Sequence, residues 1–461
     1  MTQNDIALKT TGMTALRTLT LLVLVGGVGA GCATVKQARL AQQADRAPAG
    51  ERTVRAAEIG LSSNALISLD DAVRIALSNH PAVTQARQAL AAAVTQVDQS
   101  RAAYWPAVNA NASYGRATAN AVGARGSSHM TGAYNASLGL DLLIYDFGKT
   151  PALVREACLT ALAADENLRT ARNDTAYAVR TAFFDLLRAQ ELLQVSEEAV
   201  RQYQEHLNQV KAFAEVGRRI RYDVTKAEVD LGNAQLSLIV ARNGLTTARA
   251  ALNRSLGLAE EPGYRLRESL LAEIPGDLAT LMDTAREQHP ELRALRAQEQ
   301  VASAAVDAAI ADLYPSLGVN AGYALTGSQL PLVWNLSGAI QSAFEVFGGG
   351  RKTARIAEAT AQLRSARAQV ADREQRIYLD LTQALAQLSG ARQRLELTAL
   401  IVRQAQESLN LATERYRLGQ SSSVELTDAQ TADIQARADQ VKARFDYQTA
   451  LAQIMHAIGE E

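Results

Sequence analysis

Residues 80–106 read HPAVTQARQALAAAVTQVDQSRAAYWP, and residues 289–315 read HPELRALRAQEQVASAAVDAAIADLYP. Each stretch begins with His-Pro and ends with a second proline 26 residues after the histidine, so the two copies align without a gap. The match continues at an offset of 209 through NASYG at 111–115 and NAGYA at 320–324. It then continues at an offset of 202, which pairs Gly148 with Gly350 and Gly217 with Gly419. The chain is therefore an internal duplication.

The offset changes by seven residues where the first copy reads TANAVGARGSSHM and the second a shorter TGSQLP. Because surface loops tolerate insertions, this position predicts a hairpin tip in each copy. On both sides of each tip apolar and polar residues alternate, which predicts four strands of about 10 to 14 residues. The apolar positions are Val108, Ala110, Ala112 and Tyr114, then Tyr134, Ala136, Leu138, Leu140, Leu142 and Ile144, and in the second copy Leu317, Val319, Ala321 and Tyr323, then Trp334, Leu336, Ile340, Phe344 and Val346.

Heptad repeats indicate long helices. From Leu381 apolar residues recur every seven positions, and a second, mostly alanine series runs beside them, which predicts closely packed left-handed coiled coils. The first series is Leu381, Leu388, Leu395, Val402, Leu409 and Tyr416, and the second is Ile377, Ala384, Ala391, Ala405 and Ala412. We expect helices from about Lys149 to Ala214 and from about Arg351 to Leu418, each roughly 100 Å long.

These patterns predict a plan of two repeats behind an N-terminal leader. The expected parts are residues 1–31 as a signal peptide, 32–67 as an N-terminal segment, 68–258 as the first repeat with a hairpin at about 106–146 and long helices at about 149–256, 259–276 as a linker, and 277–461 as the second repeat with a hairpin at about 315–347 and long helices at about 351–458.

The N-terminal sequence LRTLTLLVLVGGVGAGC ends at Cys32. Its apolar run follows Arg17, is shorter than the roughly 20 residues of a spanning helix, and ends in small residues, which indicates a secretion signal. Small residues directly before a cysteine resemble a bacterial lipoprotein cleavage site, so we expect Cys32 to be lipidated and to anchor the chain in outer-membrane lipid. An ordinary signal peptide with an incidental cysteine is the alternative, and Met13 is a second candidate start.

Composition argues against several classes of function. The formal net charge of −1 and the pI near 6.6 give no indication of a nucleic-acid partner. The five histidines lack the spacing of metal ligands, and no nucleophile, base and orienting group occur together. We therefore expect no enzymatic activity, no metal site and no cofactor.

Four strands cannot close a barrel, because the smallest barrels that enclose an interior need about eight. No other apolar stretch reaches the length of a spanning helix, so we expect any membrane insertion to use these strands. Lipid does not tolerate an unpaired sheet edge, and a cyclic homo-oligomer is the economical way to pair the edges. Three copies would supply twelve strands, whose polar face would line a watery lumen. Two exposed hairpins on a soluble protein are the alternative.

The duplicated plan, the YWP and LYP before the strands, GGGR at 348–351 and RYRLGQSSSVELTDAQ at 415–430 together resemble the TolC-type outer-membrane factors, the outer-membrane efflux protein family. The resemblance covers about residues 68–459 and is closer to the lipoprotein branch. It implies an α+β membrane protein: a homotrimer with a twelve-stranded β-barrel continued by a long coiled-coil α-helical barrel. It also implies a periplasmic adaptor and an inner-membrane transporter as partners in efflux or type I secretion. A non-conducting periplasmic scaffold lipoprotein is the alternative.

The resemblance also places the gate at two helical turns, within residues 215–228 and 415–430. Glu425 and Asp428 match carboxylates that constrict the pore. Asp223 and Tyr416 match residues that tether neighbouring coils in the closed state. Because Asp428 lies three residues after Glu425, the two share one helical face and would form two stacked acidic rings in a trimer.

The turns themselves match the surface on which the adaptor docks. The residues concerned are Gly217, Gly419, Leu418 and Ser421. The two glycines are expected to permit tight turns between antiparallel helices, since glycine accepts positive φ at little cost. Ser421 stands where secretion-type members carry an arginine, so we expect that tether to be absent or to be replaced by Arg218 or Arg219.

Overall fold

A computed structural model describes residues 65–119, 129–217, 219–258, 263–272 and 277–460. The predicted signal peptide, the lipidation site at Cys32, and Arg218 lie outside these ranges. Internal contacts divide the chain into two units. One comprises Met1–Gly60 and Leu258–Glu260, and the other comprises Leu61–Gly257 and Glu261–Glu461. Every helix and strand described below belongs to the second unit.

The elements of this unit follow the duplicated order of the sequence. In chain order they are β1 (Leu66–Ile67), α1 (Leu69–Asn79), α2 (Pro81–Arg101), β2 (Ala107–Ala119), β3 (His129–Tyr145), α3 (Lys149–Glu215), α4 (Arg221–Ser255), β4 (Arg265–Leu266), α5 (Leu278–Gln288), α6 (Pro290–Ala311), β5 (Ser316–Gly327), β6 (Val333–Ala343), α7 (Arg351–Arg417) and α8 (Ser423–Ile458). The short strands β1 and β4 pair in parallel.

The two His-Pro sequences separate a short helix from a longer one. His80 ends α1 and begins α2, and its Nδ1 accepts a hydrogen bond of 3.2 Å from the backbone amide of Ala82. His289 occupies the same position between α5 and α6. A proline at the first helical position fits there, because its missing amide proton would have no partner in the helix.

The four long strands form one antiparallel sheet in the order β2-β3-β5-β6. The two repeats therefore meet between β3 and β5, and β2 and β6 form the edges. Strand β3 has 17 residues, more than expected. The expectation that β6 includes Phe344 and Val346 is wrong: its ladder ends at Ala343, opposite Ser316. Pro315 directly precedes Ser316, and a proline supplies no amide to continue the ladder.

The two longest helices, α3 and α7, contain 67 residues each. At 1.5 Å per residue each extends for about 100 Å, as the heptads predicted. Both begin directly after a glycine in the left-handed region, Gly148 with φ of 96° and Gly350 with φ of 80°. Helix α3 packs against α4, α6 and α8, and α7 packs against α6 and α8.

The predicted heptad positions of α7 form the seam against α8 and the short helices. Leu381 and Ala384 are fully buried there. The cluster around them contains Leu281, Met282, Ala285, Leu292, Ile377, Leu381, Ala384, Ile454, Ala457 and Ile458. Within the described ranges, no helix combines the length and the apolar character needed to cross a membrane.

Truncating Leu381 tests this seam. We expect Leu381→Ala to lower the free energy of unfolding by about 2–5 kcal/mol, because it leaves a cavity among residues that cannot fully close around it. Thermal unfolding of the detergent-solubilised protein, followed by circular dichroism, measures the effect. Gln387→Ala removes an exposed side chain from the same helix and serves as the control. Equal shifts for the two variants would contradict the assignment of Leu381 to the core.

Candidate functional site at the paired helical turns

Two tight turns join the long helices in pairs, one between α3 and α4 and one between α7 and α8. Gly217 and Gly419 adopt φ of 72° and 75° in these turns. The amide of Gly419 donates to the carbonyl of Tyr416 at 3.0 Å, and the amide of Gln420 donates to that of Arg415 at 2.8 Å. A side chain at either glycine would meet no other atom, so the backbone conformation is the feature that requires glycine.

An apolar cluster below the turns joins the two helical pairs. Its buried members come from all four helices: Tyr203, Leu207 and Val210 of α3, Ala227, Leu231 and Ala234 of α4, Ala412 and Tyr416 of α7, and Leu426 and Ala429 of α8. We call this the turn cluster. Because it holds α3 and α4 against α7 and α8, any separation of the two pairs must break it.

Tyr416 lies at the centre of the turn cluster with 1% of its surface exposed. Its ring centroid lies 5.5 Å from that of His206 and 6.3 Å from that of Phe213. Burial raises the pKa of the Tyr416 hydroxyl. Among the described residues this hydroxyl has no hydrogen-bond partner. The contribution of Tyr416 to the contact is therefore its ring rather than its hydroxyl.

Arg219 bridges the two pairs of helices from the first turn. Its guanidinium carbon lies 4.6 Å from the centroid of the Tyr416 ring, a cation–π contact. Its Nη2 also donates to the backbone carbonyl of Ser421 at 3.2 Å. Arg219 thus reaches from the first turn to the second, and its replacement of the missing arginine as a tether stays a prediction.

Asp223, in the first turn of α4, also contacts the second pair of helices. Its Oδ1 accepts a hydrogen bond of 3.0 Å from the hydroxyl of Ser423 at the start of α8. Asp223 and Tyr416 both lie at the contact between the two pairs of helices, and their role as tethers of the closed state stays a prediction. The sequence placed Ser423 only in the turn surface with Ser421, and no pattern indicated its hydrogen bond to Asp223.

Glu425 and Asp428 lie on one face of α8 in very different surroundings. One carboxylate oxygen of Glu425 lies 2.6 Å from Nη1 of Arg415, and the other accepts a hydrogen bond of 2.8 Å from the Ser421 hydroxyl. Asp428 is exposed and forms no ion pair with any residue that the structure describes. Both line an open groove of about 800 Å³ between α7 and α8, together with Glu407 and Arg415.

The turns present apolar side chains at their surface. Val216 and Leu418 are 68% and 66% exposed. Ser421 is different: it is 9% exposed, and its hydroxyl is directed to Glu425. The Ser421 side chain is therefore used inside the turn, and its part in a docking surface stays a prediction.

His206 is a buried titratable group whose ring lies beside that of Tyr416. Burial lowers the pKa of His206. The positive charges of Lys226 and Arg219 lower this pKa further, whereas the negative charges of Asp230 and Asp223 raise it. Its Nδ1 is buried and has no hydrogen-bond partner among the described residues. In the described part of the chain, no group of three or more His, Cys, Asp or Glu side chains is arranged to hold a metal ion.

Comparison with known proteins identifies the fold. The family model for outer membrane efflux proteins matches residues 72–258 and 281–460. The chain belongs to the outer membrane efflux protein family. This membership confirms the resemblance found in the sequence and assigns the chain to outer-membrane channels for efflux or secretion, in place of the scaffold alternative.

The alignments with individual relatives cover most of this chain and most of each relative. The chain is 24% identical to the outer membrane efflux protein BepC of Brucella suis over 72% of this chain and 76% of the relative. It is 24% identical to the probable efflux pump outer membrane protein TtgC of Pseudomonas putida over 85% and 83%. The crystal structure of the Campylobacter jejuni CmeC outer membrane channel shares the fold, with a TM-score of 0.75, 18% identity and 85% of each chain covered.

Acid should weaken the turn cluster through His206. Since the folded-state pKa is lowered, the packing is most stable above the unfolded value near 6.5 and loses stability as pH falls through the lowered pKa. We expect the unfolding temperature of the wild type to fall between pH 7.5 and pH 5, and that of His206→Gln to fall less. Differential scanning calorimetry at both pH values measures this. An unchanged pH dependence in His206→Gln would contradict the role of this histidine.

Proposed function

We propose that three copies of this chain form a passive export channel through the outer membrane. The observation that carries the proposal is the open sheet: β2 and β6 each have a strand partner on one side only within the described residues. Every residue of β6 is exposed in the single chain, including Trp334, Leu336 and Ile340. Joining β6 of one copy to β2 of the next would pair both edges and give a closed barrel of twelve strands.

The alternation along the strands supports a water-filled interior. In β2 the polar residues Asn109, Asn111 and Ser113 alternate with small and apolar residues. In β6 the residues Asn335 and Ser337 do the same. With the apolar series against lipid, these side chains line the lumen. The long helices then continue the channel away from the membrane as an α-helical barrel.

The paired turns form the gate in this proposal. Glu425 and Asp428 of three copies surround the narrowest part of the channel. Arg219, Asp223 and Tyr416 hold α3 and α4 against α7 and α8 in the closed state. Opening separates the two pairs of helices and breaks the turn cluster, at a cost that the partner proteins offset.

The turns also provide the contact with partners. The exposed side chain of Leu418, together with Gly217 and Gly419, forms the surface for a periplasmic adaptor, which links the channel to an inner-membrane transporter. The relative TtgC is named an efflux pump outer membrane protein, which supports an efflux assembly for this chain. Transport is powered and cargo selected by the transporter, since a passive tube does neither. A lipid on Cys32 anchors each copy in the outer membrane.

Purification in detergent and bilayer recording test the channel. We expect a particle with the mass of three chains that conducts ions and prefers cations. Glu425→Ala combined with Asp428→Ala should raise conductance and reduce the ratio of potassium to chloride permeability, because it removes both carboxylates from the constriction. A monomer soluble without detergent, or a trimer that never passes ions, would contradict the proposal.

Arg219→Gln tests the closed state separately. The glutamine cannot make the cation–π contact with Tyr416, so we expect longer and more frequent openings in single-channel recordings. Such a contact contributes about 0.5–1 kcal/mol at exposed sites, which corresponds to a rise of about two- to fivefold in the open-to-closed ratio. Arg221→Gln removes a neighbouring exposed cation and serves as the control. Equal open-to-closed ratios in Arg219→Gln and Arg221→Gln would exclude Arg219 as a tether.

A further inference from the structure

The two carboxylates proposed for the constriction are not equivalent in this chain. Both oxygens of Glu425 are engaged, one by Arg415 at 2.6 Å and the other by Ser421 at 2.8 Å. Its backbone amide donates to the hydroxyl of Ser422, the N-cap of α8, at 3.2 Å. Glu425 therefore connects the end of α7 to the first turn of α8, where the helix dipole also favours a negative charge.

Asp428 lies one turn further along α8 and has none of these partners. It is exposed, and no described cation pairs with it. Glu407, the other acidic residue lining the groove, is eight residues before Arg415 on α7, about 12 Å along the helix. At distances greater than the separation of the ion pair, Arg415 and Glu425 contribute no net charge, whereas Asp428 contributes a full one.

We infer that Arg415 is a selectivity-determining residue: it cancels the charge of Glu425 and leaves Asp428 as the fixed negative charge of the constriction. This inference rests on the proposed function and changes its expected electrostatics. The trimer then has one acidic ring, formed by Asp428, instead of two equal ones. The second ring consists of neutral Arg415–Glu425 pairs. The cation preference of the channel then depends on Asp428 directly and on Arg415 indirectly.

Reversal potentials in a potassium chloride gradient test the inference on the full-length detergent-solubilised protein. Arg415→Gln exposes the charge of Glu425. One unit charge at roughly 7 Å in water favours a potassium ion about threefold and disfavours a chloride ion by about the same factor, so we expect the ratio of potassium to chloride permeability to rise about sevenfold. Asp428→Asn should lower the ratio by a similar factor. The double variant Arg415→Gln, Glu425→Gln removes both members of the ion pair and leaves Asp428, so its ratio should lie below that of Arg415→Gln and above that of Asp428→Asn.

Arg417→Gln is the matched control. Arg417 is two residues from Arg415, is exposed, and pairs with Glu414 at 3.5 Å, so the variant removes one cation outside the groove lining. We expect its permeability ratio to equal that of the wild type. An unchanged ratio in Arg415→Gln, or a double variant with a ratio as low as that of Asp428→Asn, would overturn the inference.

A second readout does not require conduction. Leu418 is exposed in the turn, and leucine is among the residues after which chymotrypsin cleaves. Loss of the ion pair should accelerate cleavage there about twofold in Arg415→Gln and in Glu425→Gln, and the double variant should be no faster than either single variant. If the rate increases of the two single variants multiply in the double variant, the two side chains do not form a pair. A wild type that conducts no ions would contradict the proposed function, while cleavage would still decide the pairing.

Discussion

The backbone groups at the edges of the sheet impose the main constraint on this chain. Strands β2 and β6 each present amides and carbonyls that the four-stranded sheet of one copy leaves without a strand partner on the outer side. In water the free-energy cost of such an edge is small, because water molecules bind its amides and carbonyls. In hydrocarbon each unpaired polar group costs several kcal/mol. The sheet of one chain leaves these two edges open, and in the trimer that we propose identical neighbours pair them.

The remainder of the fold continues from that sheet. Left-handed glycines, Gly148 and Gly350, precede the two 67-residue helices, which lead away to the paired turns. At the turns the helical pairs are joined by apolar packing and by few polar bonds, and the buried hydroxyl of Tyr416 and Nδ1 of His206 have no partner among the described residues. Unsatisfied buried groups reduce the stability of a contact. These two unpartnered groups therefore lower the stability of the contact between the helical pairs, which is consistent with the gate that we propose there.

Much of this architecture could be predicted because it is periodic. The repeated His-Pro frame, the alternating strands and the heptads around Leu381 have characteristic spacings that a single sequence reveals. Contacts between residues from different helices have no such spacing. The direction of Ser421 toward Glu425, the ion pair of Glu425 with Arg415 and the position of Arg219 over Tyr416 depend on side-chain geometry within two tight turns. The end of β6 at Ala343 is set by the first residue of β5, Ser316, and the alternation within β6 itself does not reveal that limit.

The equal length of α3 and α7 has an evolutionary consequence. Both contain 67 residues and correspond at an offset of 202, whereas the offset between the two repeats changes by seven residues within the hairpins. Since their divergence, the two halves have kept the same net length along these helices and accepted a length change where the strands reverse. The equal lengths of the two helices place the two turns at the same distance from the sheet. A deletion in only one of them would shift its seam against the neighbouring helices and bring the two turns to different levels.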